Sequence, residues 1–385
     1  MKTFAVHICL VSQQPLPNFL PIVENAFRPQ KVILLVTPEM KKQADFLTNH
    51  IKKRCQIKDI EQISIADEYN MSLIEQELLD LLIDYQPDEV AVNITGGTKL
   101  MAIAAFNFAQ ENNYQCIYFT QNQSKIILYH PQRQPETLLK CQNQYLKIED
   151  YLNLHGYEIQ SSTQHIKKNL IQPWYIAIEQ HDLYAKIIPS LNHQLYKQAE
   201  SDNSSLPLNE LNKNILPLLK DLGEVSGGHF QFHNKDNKQL ANGGWFEYFV
   251  FEKINEIKKE YQKIQDIQLN IQFKTQADKT YNEVDVAVLC NNVLYLIECK
   301  TINFAKDLGQ AKGNDILYKL ESLKKVGGLN TRCALISYIS TQNKKGNNPI
   351  KERAKSNQIE LWAGKDDIKG LKTHLIKWFK LLENQ

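Results

Sequence analysis

Residues 283–290 read EVDVAVLC, residues 293–300 read VLYLIECK, and Asn291-Asn292 lies between them. Both runs are dense in aliphatic and β-branched residues. Asparagine tolerates positive φ, so the stretch predicts two antiparallel strands around a two-residue primed turn. Such a turn sets the register. Cys290 then faces Val293, Leu289 faces Leu294, and the ladder carried outward puts Asp285 opposite Glu298 and Glu283 opposite Lys300. Side chains alternate faces, so Glu283, Asp285, Glu298 and Lys300 share one face with Ala287, Leu289, Leu294 and Leu296. Val284, Val286, Val288, Tyr295 and Ile297 take the other.

Two carboxylates held directly opposite, with Cβ atoms about 5 Å apart, repel one another. A cation between them removes that cost. Carboxylate oxygens are hard ligands, which suits Mg²⁺ or Mn²⁺. Such an ion activates a bound water and neutralises charge on a phosphodiester. Lys300 could orient that water or stabilise the transition state. The competing reading is a surface hairpin with a Lys300–Glu283 pair, and the register match of Asp285 with Glu298 weighs against it. Upstream, residues 242–250 (NGGWFEYFV) open a helix in which Glu247 is an isolated acid among aromatic residues. It could complement the positive helix end or reach the metal site as a third carboxylate.

The first 130 residues alternate strand and helix. Strands are expected over Phe4–Val11, Lys31–Val36, Glu89–Ile94 and Tyr114–Thr120, with Lys125–His130 as an edge strand. Helices are expected over Asn18–Phe27, Pro38–Arg54, Met71–Tyr85 and Leu100–Gln110. This order implies a parallel sheet covered on both faces. The Glu89–Ile94 strand runs into Thr95-Gly96-Gly97-Thr98-Lys99, a glycine-rich turn before a helix. Exposed backbone N–H groups, the helix amino terminus and the Lys99 charge together suit a phosphate. The spacing matches neither the P-loop nor the dinucleotide fingerprint. A tight helix start capped by Thr98 is the plainer alternative. Ser12 and Gln13 follow the first strand, and Thr37 follows the second, at the same sheet edge. Each could read a base or ribose, or could be an ordinary loop residue or helix cap.

The chain has 385 residues, with 45 basic and 43 acidic side chains for a net charge of +2. Residues 1–150 hold 14 Lys+Arg and 17 Asp+Glu, a net of −3, which leaves +5 for the remainder. This asymmetry points to different partners for the two halves. No apolar run approaches the roughly 20 residues that span a bilayer. The seven cysteines are scattered without a Cys-x-x-Cys pair, which predicts reduced thiols and a cytoplasmic protein with no disulfide framework or zinc module.

The run Asn93-Ile94-Thr95-Gly96-Gly97-Thr98-Lys99-Leu100-Met101, with the Ser-Gln loop, resembles the signature of CRISPR-associated Rossmann-fold (CARF) sensors. The resemblance implies a homodimer that binds a cyclic oligoadenylate across its two-fold axis. Ser12, Gln13, Thr37, Thr95, Gly96, Gly97, Thr98 and Lys99 would form the ligand site.

The helix with Glu247, the strand with Asp285 and the strand with Glu298-Cys299-Lys300 resemble the PD-(D/E)xK restriction-endonuclease-like core. There, Val284 stands where that family often has proline. This resemblance implies catalytic roles for Glu247, Asp285, Glu298 and Lys300. It places the metal on Asp285, Glu298 and the Cys299 backbone carbonyl, with Glu247 reaching it directly or through water. Gln310, Lys312, Asp315, Tyr318 and Lys319 fall on the next helix, where that family often supports the site or contacts substrate; a solvated face is the alternative.

The expected fold is therefore α/β: an N-terminal Rossmann-like parallel sheet and a C-terminal restriction-endonuclease-like α/β/α domain. The boundaries read as 1–140 for the sensor, 141–235 for a mostly helical connector and 236–385 for the nuclease. Together the halves resemble the ancillary nucleases of type III CRISPR defence. That implies a Mn²⁺- or Mg²⁺-dependent, largely nonspecific endonuclease, acting on single-stranded DNA, RNA or duplex DNA and activated by a cyclic oligoadenylate, foremost cyclic tetra-adenylate. Two other readings stand beside it: a ligand-gated nucleic-acid-binding regulator without cleavage, and a sensor that degrades its own cyclic ligand.

Overall fold

The computed structural model describes residues 4–24, 27–120, 124–130, 136–141, 146–163, 168–197, 205–275, 281–304, 307–342 and 346–381. They form two units. One holds residues 1–158 with 274–280 and 326–329; the other holds 159–273, 281–325 and 330–385.

The first unit is built on a seven-stranded sheet. Its strands are β1 (Val6–Leu10), β2 (Lys31–Val36), β3 (Asp59–Ser64), β4 (Val90–Asn93), β5 (Gln115–Thr120), β6 (Lys125–Tyr129) and β7 (Thr137–Lys140). The order is β3-β2-β1-β4-β5-β6-β7. The pairs from β3 through β5 are parallel, while β6 and β7 are antiparallel additions. Every residue of β1 and β4 is buried, as expected for parallel strands covered on both faces. The chain leaves β1 toward β2 and β3, then returns to β4 on the other side. That reversal is a topological switch point, and the loops after β1 and β4 lie side by side there.

In this unit two strands escaped the sequence reading. β3 (DIEQIS) is a half-exposed edge without an apolar run, and β7 pairs only with β6. The first helix, Leu16–Val23, begins two residues earlier than expected because Pro15 and Pro17 suit its first turn.

In the second unit a six-stranded mixed sheet combines β8 (Tyr157–Thr163), β12 (Ile264–Thr275), β13 (Tyr281–Cys290), β14 (Val293–Lys300), β15 (Arg332–Ser337) and β16 (Ile359–Ala363). The order is β16-β15-β14-β13-β12-β8. A separate three-stranded sheet is made of β9 (Ser205–Pro207), β10 (Gly223–Ser226) and β11 (His229–Phe232). Residues of the expected connector join the same core: Ile171, Trp174, Ile188 and Leu191 cluster with Trp245 and Phe246. The Trp174 and Trp245 rings stack 5.2 Å apart.

The β13–β14 hairpin has the predicted register, with Cys290 opposite Val293, Leu289 opposite Leu294 and Val286 opposite Ile297. Asn291 and Asn292 both have positive φ, 50° and 58°, as a primed turn requires. The two faces of the hairpin carry different helices. Val286, Val288, Ile297 and Cys299 cluster with Phe246, Phe249, Val250 and Ile254 of the Trp245–Glu260 helix. Leu296 and Glu298 share the opposite face with Cys333 and Leu335 of β15. That face meets the Asp307–Lys324 helix, where Cys333 Sγ lies 3.4 Å from the Leu320 carbonyl.

Candidate active site

The hairpin ladder ends at Val286–Ile297, and the next residues outward are Asp285 and Glu298. Both are buried, at 6% and 1% exposure. Asp285 does more than face Glu298. Its Oδ2 accepts the Cys299 backbone N–H at 2.7 Å and lies 2.8 Å from Lys300 Nζ. The same ammonium lies 2.9 Å from Glu298 Oε2. Lys300 thus bridges the two carboxylates. The predicted partner across the ladder, Glu283, is exposed, and Lys300 turns to Asp285 instead. The physical reason is charge: two buried carboxylates attract the nearest cation more strongly than one solvated glutamate does. The other Glu298 oxygen, Oε1, is held by Lys319 from the Asp307–Lys324 helix.

Glu247 sits in the first turn of the Trp245–Glu260 helix, partly buried. Burial pushes its carboxyl up to about 8, reinforced by Asp285, while Lys300 and a hydrogen bond from Asn270 of β12 oppose the shift. Burial also lifts Asp285 to about 6, against the pull of Lys300. Burial acts on Glu298 too, but Lys300 and Lys319 outweigh it and hold that carboxyl below its ordinary value. Lys300 is correspondingly held well above its usual range by Asp285 and Glu298 despite its burial. Three acids and two lysines therefore share one electrostatic field.

In kind, the donors fit a hard divalent cation: Asp285 and Glu298 bring buried carboxylate oxygens, which are hard ligands. Among the described residues, however, no three His, Cys, Asp or Glu side chains converge as a ready-made ligand set. The ammonium groups take up the oxygens that such an ion would use. The Gln310 side chain lies outside the described residues. Lys312 stacks on Tyr196 at 4.8 Å and Arg353 on Tyr318 at 4.1 Å.

At the switch point of the first unit, the loops after β1 and β4 are tied together. Asn18 Nδ2 donates to the Leu10 carbonyl at 2.7 Å, and Asn93 Nδ2 donates to the Pro17 carbonyl at 2.8 Å. Gly96 lies against the end of β1, where an added Cβ would stand 2.0 Å from the Leu10 oxygen. Gly97 has φ +72°, the left-handed region that glycine enters freely. Thr98 caps the Lys99–Glu111 helix by accepting the Met101 N–H at 3.2 Å. Lys99 is exposed at the helix start.

Two family models match the chain. Residues 6–151 match the Card1 CARF domain and residues 234–382 match the Card1-like endonuclease domain. The chain pairs a Card1 CARF domain with a Card1-like endonuclease domain. The fold agrees with solved structures. The crystal structure of protein VC1899 from Vibrio cholerae superposes with a TM-score of 0.83 at 24% identity, covering 99% of each chain. Can2 from Sulfobacillus thermosulfidooxidans, solved with cyclic tetra-adenylate, superposes with a TM-score of 0.77 at 25% identity over 97% of each chain. A type III CRISPR defence DNA nuclease activated by cyclic oligoadenylate gives a TM-score of 0.56 at 17% identity, covering 90% of this chain and 47% of its own. Among curated proteins nothing matches.

Within the CARF domain, the eight expected ligand residues do not play equal parts. Gly96, Gly97, Thr98 and Lys99 form the helix start as expected. Ser12 Oγ closes a local turn with the Gln14 backbone, and Gln13 is exposed beside it. The Thr95 hydroxyl is already used twice, donating to Asn93 Oδ1 at 2.7 Å and accepting the Phe119 N–H at 2.8 Å. Thr37 is buried at 5% exposure beside the 3₁₀ turn Pro38–Met40. Thr95 thus also ties the loop to β5. Asn18 and Asn93 were overlooked as loop braces. An asparagine at a strand end beside a glycine turn was the available signal.

In the endonuclease domain, Asp285, Glu298 and Lys300 come together as expected, and Glu247 shares their field. Lys319 is the contact that sequence placed on the right helix without a partner. All seven cysteines are free and buried. No helix among the described residues is long and apolar enough to cross a membrane.

Proposed function

We propose that the protein is a metal-dependent endonuclease of type III CRISPR defence, switched on by cyclic tetra-adenylate. The observation that carries this reading is the Asp285–Lys300–Glu298 cluster at the open end of the β13–β14 ladder. Asp285 and Glu298 would hold Mn²⁺ or Mg²⁺ together with the Cys299 backbone carbonyl, and Glu247 would reach the ion directly or through water. When bound, the ion supplies a Lewis acid that activates water and neutralises the phosphodiester. Lys300, anchored by two acids, is placed to orient the attacking water or to face developing negative charge. Glu247, with its carboxyl at about 8, can hold a proton near neutral pH. None of these groups reads a base, which supports cleavage with little sequence preference.

In the CARF domain, the Gly96-Gly97 turn, the Lys99–Glu111 helix start and Lys99 favour an anionic ligand. The likeness to Can2 supports cyclic tetra-adenylate as that ligand. A ring with internal symmetry suits a two-fold site, so the active species is a homodimer. Exposed apolar residues on the adjoining helices support that assembly: Leu79 on the Met71–Leu82 helix and Ile83 at its end, Leu100 and Ile103 on the next, and Tyr69 before them. Buried reduced thiols support a cytoplasmic setting.

The test incubates the purified chain with Mn²⁺ and single-stranded DNA, RNA or duplex DNA, with and without cyclic tetra-adenylate. Cleavage that rises with the ligand is expected. Equal rates in both conditions remove the activation claim, and no cleavage under any condition removes the nuclease reading. Light scattering at micromolar concentration checks the dimer.

A further inference from the structure

Both carboxylate oxygens of Glu298 are already spoken for. Oε2 lies 2.9 Å from Lys300 Nζ, and Oε1 is held by Lys319 Nζ. The neighbouring Asp285 Oδ2 is shared between Lys300 and the Cys299 N–H. A divalent ion that coordinates Glu298 must therefore displace an ammonium group. The two lysines are not equally easy to move. Lys300 has two carboxylate partners and a side chain 25% exposed. Lys319 contacts only one of these acids, projects from a helix and is 41% exposed. Glu298 is buried, but the Lys319 end of the pair reaches solvent and its stem is long and flexible, so Lys319 is the group that yields when a stronger cation arrives.

The charge count gives the displaced lysine a destination. Asp285 and Glu298 carry two negative charges, and Lys300 and Lys319 two positive ones. Adding a divalent ion leaves the set with two positive charges in excess, or one if Glu247 is ionised. A phosphodiester brings one negative charge, and a second develops as the attacking water gives up its proton to a base or to solvent. A freed ammonium beside the site meets that charge at close range.

We propose that Lys319 is an exchange cation: it caps Glu298 until a divalent ion binds, and it then engages a phosphate oxygen of the nucleic-acid substrate. This rests on the metal-dependent reading above and assigns a residue to substrate binding at that site. Lys319 is a phosphate-binding residue whose release is linked to metal loading. One consequence distinguishes this role from a structural one. Removing its charge helps the metal and harms the substrate.

The experiment compares the full-length protein with Lys319→Gln and Lys319→Arg. Mn²⁺ binding is read by calorimetry without nucleic acid. Binding of a fluorescent oligonucleotide is read in Ca²⁺ with cyclic tetra-adenylate present. The expected result for Lys319→Gln is Mn²⁺ affinity about 3–5-fold tighter and oligonucleotide affinity several-fold weaker. Lys319→Arg keeps the charge and should hold oligonucleotide affinity within about 2-fold. Mn²⁺ affinity unchanged or weaker in Lys319→Gln overturns the exchange. Unchanged oligonucleotide affinity overturns the phosphate role. If the wild-type protein binds no Mn²⁺, the metal reading falls together with this one; if it binds and the variant does not differ, only Lys319's role falls.

Discussion

Lys300 Nζ stands 2.8 Å from Asp285 Oδ2, across the end of a hairpin whose last ladder pair is Val286 with Ile297. The lysine therefore does structural and chemical work at once. It is the cation that lets two acids sit buried on neighbouring strands. Removing one member of a buried ion cluster leaves an uncompensated charge, which costs about 3 kcal/mol. Lys300→Met should therefore abolish cleavage and destabilise the endonuclease domain. The stability loss should be larger at pH 8 than at pH 5, because the stranded carboxyls take up protons at low pH. Thermal unfolding at the two values checks this; an equal loss at both contradicts the bridging role.

Glu247 gives a second pH signature. Its carboxyl is raised to about 8 by burial and by Asp285. The folded chain thus holds a proton that the unfolded chain releases above about pH 4.3. Where the native state binds more protons, stability falls as pH rises. The wild-type protein in EDTA should lose stability between about pH 5 and 8 through this group. Glu247→Gln should flatten that fall and melt roughly 3–6 °C higher than wild type at pH 8.5. It should also lose most cleavage. A variant that melts lower across the whole range contradicts the prediction.

The site was legible where local chemistry dictates geometry. Asn291-Asn292 specified a primed turn, the turn specified the register, and the register brought Asp285 to Glu298. The glycine turn at residues 95–99 was legible for the same reason. Long-range choices were not. Lys300 could have paired with Glu283 along the ladder. It pairs with Asp285 and Glu298 because burial of two acids decides the matter, and burial is a property of the folded sheet. The Thr95 hydroxyl falls beside the glycines in sequence, but its bonds to Asn93 Oδ1 and the Phe119 N–H follow only from the folded sheet. β3 was missed because Asp59, Glu61 and Gln62 carry no apolar alternation, and an edge strand tolerates that.

Metal binding should be linked to proton release. An ion on Asp285, Glu298 and Glu247 must displace the protons that Glu247 holds up to about pH 8 and Asp285 up to about pH 6. Mn²⁺ should therefore raise the melting temperature more at pH 8 than at pH 6, because the stabilising free energy RT ln(1 + [L]/Kd) grows as Kd falls. Calorimetry in two buffers of different ionisation enthalpy should report proton release near pH 7. A Mn²⁺ effect that is the same at pH 6 and pH 8 would place the ion elsewhere.

In the CARF domain, glycine and lysine of one turn should separate stability from binding. An added Cβ at Gly96 meets the Leu10 carbonyl oxygen at 2.0 Å, and that carbonyl already accepts Asn18 Nδ2. Backbone cannot retreat as a flexible side chain can, so Gly96→Ala should cost about 2–3 kcal/mol and lower the melting temperature by about 5–10 °C. Lys99 is exposed at the start of the Lys99–Glu111 helix. Lys99→Ala should leave the melting temperature within about 1 °C, since surface substitutions away from special features move stability little. It should nonetheless weaken cyclic tetra-adenylate by about 10-fold, the scale of one charge-assisted contact to phosphate. Differential scanning fluorimetry and ligand titration of the two variants separate the effects. A Lys99→Ala protein that binds the ring as wild type does would move the anion site away from this helix start.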